Sequence, residues 1–175
     1  MSSAEPETAP SAIVAFIGAP GAGKSRIGKR VAHLLGADFL DTDKLIVAEH
    51  GVISDIFETH GEAHFRALER EAVRKSLRAG AVVALGGGAV LDADTQADLA
   101  GLTVVQLTTS PEAVATRITN GKRPLLKDGV EAWTALVATR QPIYDRLATR
   151  TFDTSNYPAE KIAANIAEWI QEISQ

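Results

Sequence analysis

The sequence predicts an α/β protein in which a parallel sheet is covered by helices on both faces. Three observations predict this class. Short apolar runs recur without polar alternation, which is typical of strands that are buried on both faces. Helical apolar patterns separate these runs, and such an alternation favours a parallel sheet with crossover helices. Three of the runs are followed by glycines or carboxylates, and ligands bind at this edge of parallel sheets.

The first unit of the chain is a strand, a glycine-rich loop and a helix. The apolar run 13–17 predicts the strand, which ends at Gly18. The helix has one apolar face with residues at i, i+4, i+7 and i+8, namely Ile27, Val31, Leu34 and Leu35. Gly36 is placed to end this helix, because glycine readily adopts the left-handed conformation of a C-terminal cap.

The same alternation continues to the end of the chain. Further strands are predicted over 38–40, 81–85 and 102–107, and a last edge strand is predicted to end at 152–153. A helix is predicted over 62–78, with Gly80 closing it, and another from Pro111 after the N-cap Ser110. Two more helices are predicted, one from about Val130 with a kink at Pro142 and one from Pro158 onward. The segment 51–61 is predicted to be irregular.

Composition narrows the class of protein. The 175 residues predict one domain, 12–175, after a disordered polar tail, 1–11. The net charge of −4 argues against a broad nucleic-acid-binding surface. The absence of cysteine excludes disulfides and cysteine metal sites, and no apolar run approaches the roughly 20 residues of a membrane helix. We therefore expect a cytoplasmic protein that binds neither nucleic acid nor membrane.

The loop after the first strand predicts a site for the phosphates of Mg-ATP. Residues 18–25 fit G-x-x-x-x-G-K-[ST] between a buried strand and a helix, and this context makes a chance match improbable. Backbone N–H groups and side chains of five consecutive residues are predicted to contact the nucleotide: Gly21, Ala22, Gly23, Lys24 and Ser25. Lys24 reaches the β- and γ-phosphates, and the Ser25 hydroxyl is a ligand for Mg²⁺. The following Arg26 either adds a phosphate contact or points to solvent.

Two carboxylates after the second predicted strand are candidates for chemistry on an acceptor. Asp41 and Asp43 alternate with Thr42, and in extended chain they would point in similar directions. One carboxylate can orient water on Mg²⁺, and the other can accept the proton of an acceptor hydroxyl. The alternative for either residue is an N-cap of the helix that begins near Lys44.

Two arginines interrupt apolar helical faces. Arg66 aligns with an apolar line and has Glu69 three residues later to hold its guanidinium, which suits binding of a carboxylate. The alternative is an ordinary surface pair. Arg140 lies within the stripe of Trp133, Leu136, Val137, Tyr144 and Leu147. A snorkelling arginine is the alternative there.

Two further segments complete the candidate site. The triplet Gly86, Gly87 and Gly88 follows a buried strand and permits close backbone approach to a ligand, although a tight turn is the alternative. The polar segment 120–129 is predicted to be a mobile lid. Its Arg123 would close over the phosphates and offset charge that develops during transfer, and the alternative is a solvated basic loop.

In this order, the phosphate loop, Asp41-Thr42-Asp43, Phe65-Arg66-x-x-Glu69, the glycine triplet and Gly-Lys-Arg-Pro-Leu-Leu at 121–126 resemble the shikimate kinases. The resemblance runs from about 13 to 158. It implies a five-stranded parallel sheet of the P-loop kinase type, and ATP- and Mg²⁺-dependent phosphorylation of the 3-hydroxyl of shikimate in aromatic amino-acid biosynthesis. It also implies a monomer whose partners are ATP and shikimate.

The resemblance further implies a role for each site residue. Asp43, Arg66, Arg140 and the triplet, above all Gly87, would contact shikimate, with the two arginines on its carboxylate and Asp43 on the reacting hydroxyl. Asp41 would orient water on Mg²⁺, Arg123 would be the lid arginine, and 153–158 would lie near adenine. Three positions depart from the family pattern: Arg26, Leu85 and Phe152.

Two other functions compete with this interpretation. A related small-molecule kinase, for example one that acts on gluconate, would also bind a carboxylate with hydroxyls. A regulatory nucleotide-binding module without catalysis would lack the lid arginine or the acceptor carboxylate, whereas Arg123 and Asp43 are both present.

Overall fold

The computed structural model describes residues 8–119 and 129–175, and one parallel sheet of five strands forms its centre. In chain order the strands are β1 Val14–Gly18, β2 Phe39–Asp41, β3 Val82–Ala84, β4 Val104–Thr108 and β5 Arg150–Asp153. Their order in the sheet is β2-β3-β1-β4-β5, and all pairs are parallel. The predicted α/β class with a five-stranded parallel sheet is therefore confirmed.

The described residues also form eight α-helices and one short 3-10 helix, Ala89–Leu91. The α-helices are α1 Lys24–Leu35, α2 Thr42–His50, α3 Ile53–His60, α4 Glu62–Leu77, α5 Ala93–Leu99, α6 Pro111–Thr119, α7 Gly129–Leu147 and α8 Ala159–Ile173. Gly36 caps α1 in the left-handed conformation, at φ 65°, as predicted. Ser110 caps α6 as predicted, because its Oγ accepts from the N–H of Ala113 at 3.1 Å.

The hydrophobic core lies on both faces of the sheet. Val14 and Phe16 pack on one face with residues of α1 and α8, while Ala15 and Ile17 pack on the other face with residues of α4, α5 and α7. This division follows from the two-residue period of a strand. A strand that is buried on both faces must be apolar at every position, which explains the continuous apolar run of β1.

β1 occupies the centre of the sheet, between β3 and β4. β2 and β3 lie on one side of β1, and β4 and β5 lie on the other side. The carboxyl end of β1 is therefore the point at which the strand order reverses. Crevices at such switch points bind ligands in open α/β sheets. The fold therefore places the glycine-rich loop after β1 in the main crevice.

The prediction that 51–61 is irregular is wrong, because α3 occupies Ile53–His60. The helix is short, and Gly51 and Gly61 flank it at positive φ, so the sequence shows strong breakers and only two turns of helical pattern. Ile56 and Phe57 pack against α4, with the rings of Phe57 and Phe65 4.8 Å apart. Tertiary packing thus stabilises a helix that local pattern does not indicate.

Smaller differences occur at other helix ends. Gly80 was predicted to close α4, but Arg78 is the C-cap and Gly80 follows two residues later at φ 67°. α7 continues through Pro142, and the kink at that residue stays a prediction. α5 was not predicted, and it begins where the side chain of Asp92 accepts from the N–H of Thr95 at 2.9 Å.

The predicted tail, 1–11, lies partly in the described chain. The carbonyl of Thr8 accepts from Arg78 Nε at 2.7 Å, and the N–H of Ser11 donates to the carbonyl of Leu77 at 2.8 Å. Within 8–119 and 129–175, no helix is both long enough and apolar enough to span a membrane.

An ion-pair cluster joins α4 to α5 and predicts a pH-dependent contribution to stability. Asp98 lies 2.9 Å from Arg70 and 3.1 Å from Arg78, and its side chain is only 13% exposed. Burial opposes ionisation, but the two arginines hold the pKa of Asp98 below its ordinary value. The stabilisation is therefore present above the unfolded-state pKa and is lost as pH falls through the folded-state pKa. We expect Asp98→Asn to lower the free energy of unfolding by about 1–3 kcal/mol at neutral pH, and to have little effect in acid.

Glu71→Gln is the matched control for this prediction. Hydrogen bonding by Arg74 lowers the pKa of Glu71 to about 2, yet the Glu71 side chain is 51% exposed and solvent screens the pair. Urea denaturation at neutral and acidic pH measures both variants. If both variants lost the same free energy of unfolding at neutral pH, burial of Asp98 would not increase the strength of its ion pairs.

Candidate active site

The loop between β1 and α1 presents backbone donors toward the crevice. Gly18 has φ 139°, and a Cβ there would collide with the carbonyl oxygen of Leu107 on β4. Gly23 is the N-cap of α1 at φ 94°, and no side chain of the described residues caps this helix end. The N–H groups of the first turn are therefore available to an anion, and the helix dipole favours negative charge there.

Lys24 lies inside the curve of this loop. Its Nζ donates to the carbonyl of Gly18 at 2.6 Å and to that of Ala19 at 3.0 Å. These contacts hold the ammonium group beside the N–H groups of the loop, where it can meet phosphate oxygens as a point charge.

Three distant side chains hold the phosphate loop by its carbonyl groups. Trp133 Nε1 on α7 donates to Pro20 at 2.7 Å, and the hydroxyl of Thr154 donates to Ala22 at 2.8 Å. Arg117 on α6 donates to the carbonyl of Gly21. Because these three carbonyls are held, the N–H groups of Gly21, Ala22 and Gly23, which belong to the same peptides, point in the opposite direction. The N–H of Ala22 also donates to the carbonyl of Ala19 at 3.2 Å.

Asp41 connects the phosphate loop to α2. Its Oδ1 accepts from the N–H of Lys44 at 3.1 Å, so the N-cap alternative is correct for Asp41. Its Oδ2 also accepts from the Ser25 hydroxyl. A hydroxyl and a carboxylate are hard oxygen donors, and Mg²⁺ in phosphate sites takes few protein ligands beside phosphate oxygens and water. The residues present therefore fit Mg²⁺.

Asp43 is positioned by a helix and not by extended chain. The expectation that both carboxylates lie in extended chain after the strand is wrong, because α2 begins at Thr42 and places Asp43 in its first turn. Burial raises the pKa of Asp43 and the neighbouring charge of Asp41 raises it further, while Lys24 and Arg66 oppose the shift. The carboxyl thus titrates above its usual range and lies between the phosphate loop and α4.

Arg66 and Glu69 form a partly buried pair on α4. Arg66 donates to Glu69 Oε1 at 2.7 Å, and Glu62 lies 3.5 Å away at the exposed end. Glu69 is only 5% exposed, so the alternative of an ordinary surface pair is wrong. Burial raises the pKa of Glu69, and the hydrogen bond from Arg66 opposes that shift. The buried acid therefore fixes the direction of the guanidinium.

Arg140 is the second arginine of this region, and α7 buries it. Only 9% of the residue is exposed, which does not fit a side chain that snorkels to solvent. Among the described residues, no carboxylate lies within 4 Å of its guanidinium, although the charge of Glu69 is near enough to interact with it. A buried cation without a close anion is costly, so this position favours an anionic ligand.

The glycine triplet packs directly against these charged groups. A Cβ on Gly86 would lie 2.6 Å from Asp43 Oδ1 and 3.0 Å from Glu69 Oε2, and one on Gly88 would lie 2.7 Å from Arg66 Nη2. A Cβ on Gly87 would lie 3.4 Å from Arg140 Nη1. The triplet is therefore more than a tight turn, because only glycine leaves room for the charged side chains around it.

These groups line one cavity of about 130 Å³ beside the phosphate loop. Its polar residues are those named above, and its apolar walls are Pro20, Ile53, Phe57, Phe65 and Leu136. The structure thus brings together Asp43, Arg66, Arg140 and the triplet, which are far apart in the chain. Arg123 and the predicted lid up to 128 lie outside the described residues.

Gly86→Ala tests this close packing. We expect a loss of about 1–3 kcal/mol in the free energy of unfolding and a displaced Asp43, because the added methyl group would overlap the carboxylate. Gly101→Ala is the matched control, since a Cβ there would have no described atom within 4 Å apart from its own chain neighbours. Urea denaturation measures the effect, and equal stability of the two variants would contradict the packing argument.

A second cavity of about 420 Å³ continues from the outer side of the phosphate loop. Arg117, Thr154, Tyr157 and Pro158 line it together with loop residues. The sequence predicted the segment 153–158 for this region but missed Arg117, whose only signal was a cation one turn before the predicted lid. Arg26 lies at the rim, where its side chain is 76% exposed and pairs with Glu160 at 3.4 Å.

A phosphate-binding loop at the switch point of a five-stranded parallel sheet, with an arginine-rich cavity next to it, defines a P-loop kinase of a small anionic molecule. Comparison with known proteins identifies the family. Residues 20–171 match the family described as SKI: Shikimate kinase. This chain belongs to the shikimate kinase family.

Individual relatives agree with this assignment. Shikimate kinase from Thermobifida fusca is 46% identical over 160 residues, which cover 89% of this chain and 93% of the relative. Shikimate kinase from Mycobacterium tuberculosis is 43% identical over 169 residues, covering 93% and 94%. A solved structure of shikimate kinase from Acinetobacter baumannii in complex with shikimate superposes with a TM-score of 0.81 at 33% identity, covering 95% of each chain.

Proposed function

We propose that this chain transfers the γ-phosphoryl group of ATP to the 3-hydroxyl of shikimate, giving shikimate 3-phosphate and ADP. The observation that carries the proposal is Arg140, a buried cation with no close carboxylate among the residues that the structure describes, in the same cavity as Arg66 and Asp43. Shikimate is a small carboxylate with hydroxyl groups, and this cavity offers two cations and one carboxylate. Membership in the shikimate kinase family supports the same substrate.

The nucleotide binds along the loop from β1 to α1. The phosphates lie against the N–H groups of Gly21, Ala22 and Gly23, with Lys24 on the β- and γ-phosphates. Adenosine extends into the outer cavity beside Arg117 and 153–158. The exposed Arg26 lies at the rim of that cavity, where it is close enough to add a contact to the nucleotide.

Ser25 and Asp41 are the residues that would hold Mg²⁺, Ser25 through its hydroxyl and Asp41 through water. The ion would supply positive charge that offsets the charge of the β- and γ-phosphates. The N-cap bond from Lys44 fixes one oxygen of Asp41, so the other oxygen keeps its direction toward Ser25. α2 thereby orients the hydroxyl that would ligate the ion.

The acceptor binds through its carboxylate. Arg66 and Arg140 flank successive glycines of the triplet, so their guanidinium groups can meet the two oxygens of one carboxylate. Glu69 prevents Arg66 from turning away. The ring of shikimate then packs against the apolar walls of the cavity, and its hydroxyls reach Asp43 and the backbone of the triplet.

Asp43 holds the reacting hydroxyl and accepts its proton. The hydroxyl oxygen forms a bond to the γ-phosphorus, the bond from that phosphorus to the β,γ-bridging oxygen breaks, and the electron pair leaves with ADP. The proton of the hydroxyl passes to the carboxylate of Asp43. Its raised pKa makes Asp43 a better base than a solvated aspartate. Arg123 would close over the phosphates during this step.

The same proposal includes the remaining properties of the protein. It is a monomer with a single domain over 12–175, a lid at about 120–129 and a cytoplasmic location, and it acts in aromatic amino-acid biosynthesis. Size-exclusion chromatography with light scattering tests the monomer, and a stable dimer in the working concentration range would contradict it.

A coupled assay of ADP formation, with and without shikimate, tests the proposed reaction. We expect Mg-ATP turnover that depends on shikimate, and identification of shikimate 3-phosphate by mass spectrometry. A panel that includes gluconate distinguishes the related small-molecule kinase. ATP binding without turnover of any acceptor would instead favour the regulatory module and overturn the proposal.

A further inference from the structure

The hydrogen bonds of the glycine triplet leave a specific pair of donors for a ligand. The N–H of Gly86 donates to the buried hydroxyl of Thr42 at 3.2 Å, and its carbonyl accepts from Ala89 at 3.1 Å. The carbonyl of Gly88 accepts from Leu91 at 3.1 Å. Within the described chain, the N–H groups of Gly87 and Gly88 have no hydrogen-bond acceptor. Both residues line the acceptor cavity.

Tyr144 on α7 forms a further hydrogen bond with the glycine triplet. Its hydroxyl donates to the carbonyl of Gly87 at 2.6 Å, and the residue is 1% exposed. Burial raises the pKa of Tyr144, so the hydroxyl stays protonated and keeps its role as donor at neutral pH. No sequence pattern marked this side chain as more than part of the apolar stripe of α7.

The bond determines the direction of one peptide group. The carbonyl of Gly87 and the N–H of Gly88 belong to the same planar trans peptide and point in opposite directions. Glycine offers little resistance to rotation of that peptide, because both neighbours lack a Cβ. The Tyr144 hydroxyl therefore supplies the restraint that the backbone lacks, and it holds the N–H of Gly88 away from α7.

Tyr144 also connects the Gly87–Gly88 peptide to the helix that carries Arg140. The two residues are four positions apart on α7 and thus lie on the same face of the helix, and their side chains interact electrostatically. Movement of α7 would shift the guanidinium of Arg140 and the Gly87 carbonyl together. The acceptor cavity thereby keeps a constant geometry between its second arginine and its backbone donors.

We infer that Tyr144 is a positioning residue that sets the affinity of the acceptor cavity, by fixing the Gly87–Gly88 peptide and tying it to the helix that carries Arg140. The inference rests on the proposed function, since it concerns the same acceptor. Tyr144 does not touch the reacting atoms. It acts through the peptide, and its loss should affect binding of the acceptor more than binding of the nucleotide.

Steady-state kinetics of Tyr144→Phe test this inference on the full chain. We expect the KM for shikimate to rise about tenfold, as the loss of one buried hydrogen bond at a binding surface allows. The KM for ATP should stay within about twofold, because the hydrogen bond of Tyr144 goes to the acceptor side of the site, at the carbonyl of Gly87. The control is Thr139→Val, which removes an exposed hydroxyl from the same helix, next to Arg140, and should leave both KM values unchanged.

A spectroscopic measurement separates positioning from general stability. In the wild-type protein, shikimate should shift the amide resonances of Gly87 and Gly88 in a ¹⁵N–¹H spectrum, and in Tyr144→Phe these shifts should shrink while shifts caused by ADP persist. A lower melting temperature with an unchanged KM for shikimate would overturn the inference and leave Tyr144 a core residue. Failure of the wild-type protein to turn over shikimate would instead overturn the proposed function.

Discussion

Replacing Asp43 with asparagine should lower kcat for shikimate phosphorylation by about 10²- to 10⁴-fold, the range that general-base catalysis contributes. The amide keeps the shape of the side chain but cannot accept the proton of the hydroxyl. Asp43 lies in the acceptor cavity, and its contact with the phosphate loop is electrostatic, so ADP affinity should change little. Coupled ADP kinetics and titration calorimetry with ADP measure the two effects.

Asp55→Asn is the matched control for this variant. Asp55 also lies in the first turn of a short helix, α3, but it is exposed to solvent. Its replacement should leave kcat unchanged. Retention of more than about a tenth of wild-type kcat by Asp43→Asn would mean that Asp43 only orients the hydroxyl and that the proton leaves by another route.

The raised pKa of Asp43 has two further consequences with opposite signs. Catalysis needs the ionised carboxylate, so kcat/KM should fall as pH decreases through a value above the ordinary range of aspartate. Stability behaves in the reverse way. A folded-state pKa above the unfolded-state value means that the ionised form destabilises the fold, and this penalty grows as pH rises between the two values. Asp43→Asn should therefore melt at a slightly higher temperature than the wild-type protein at neutral pH.

Replacing Arg66 with alanine should reduce kcat/KM for shikimate by about 10²-fold or more, since a charge-assisted hydrogen bond contributes about 1.5–3 kcal/mol and the guanidinium can form two. ATP affinity should be retained, because Arg66 lies on α4 and faces the acceptor cavity. Arg66→Lys should recover only part of the activity, since an ammonium group keeps the charge and loses the planar pair of donors. Initial rates over a matrix of both substrates give each KM.

Arg74→Ala provides the control on the same helix. Arg74 bonds Glu71 at 2.8 Å over the same spacing of three residues, but that pair faces solvent. We expect kinetics equal to those of the wild-type protein. If ATP affinity fell as much as shikimate affinity in Arg66→Ala, the placement of Arg66 in the acceptor half of the site would be wrong.

Much of the architecture could be predicted because it is encoded in contiguous residues. The continuous apolar run of β1, the cap at Gly36 and the N-cap at Ser110 each depend on the chemistry of a few neighbouring positions. α3 could not be predicted in this way. Its eight residues lie between two glycines, and its stability comes from contacts of Ile56 and Phe57 with α4.

In the candidate site, too, some features follow from contiguous residues and others depend on tertiary packing. The phosphate loop is one continuous motif, so its position and its donors follow from local sequence. Asp41 is different, because its residue type suited both a cap and an interaction with the metal site, and the structure has it cap α2 and accept from Ser25 at once. Ser25 and Asp41 are 16 residues apart in the chain, and α1 and β2 pack together in the fold where the two side chains meet.

The sequence by itself determined the class of fold, the phosphate loop and the set of residue types for an anionic acceptor, because strong local patterns and a specific order of motifs carry them. The tertiary structure alone decided that Arg140 is buried with no close carboxylate in the described parts of the chain, that Glu69 is buried beside Arg66, and that Tyr144 bonds to Gly87. These features depend on how α4, α7 and the triplet pack. Burial and pairing are properties of residues that lie far apart in the chain, and no local pattern records them.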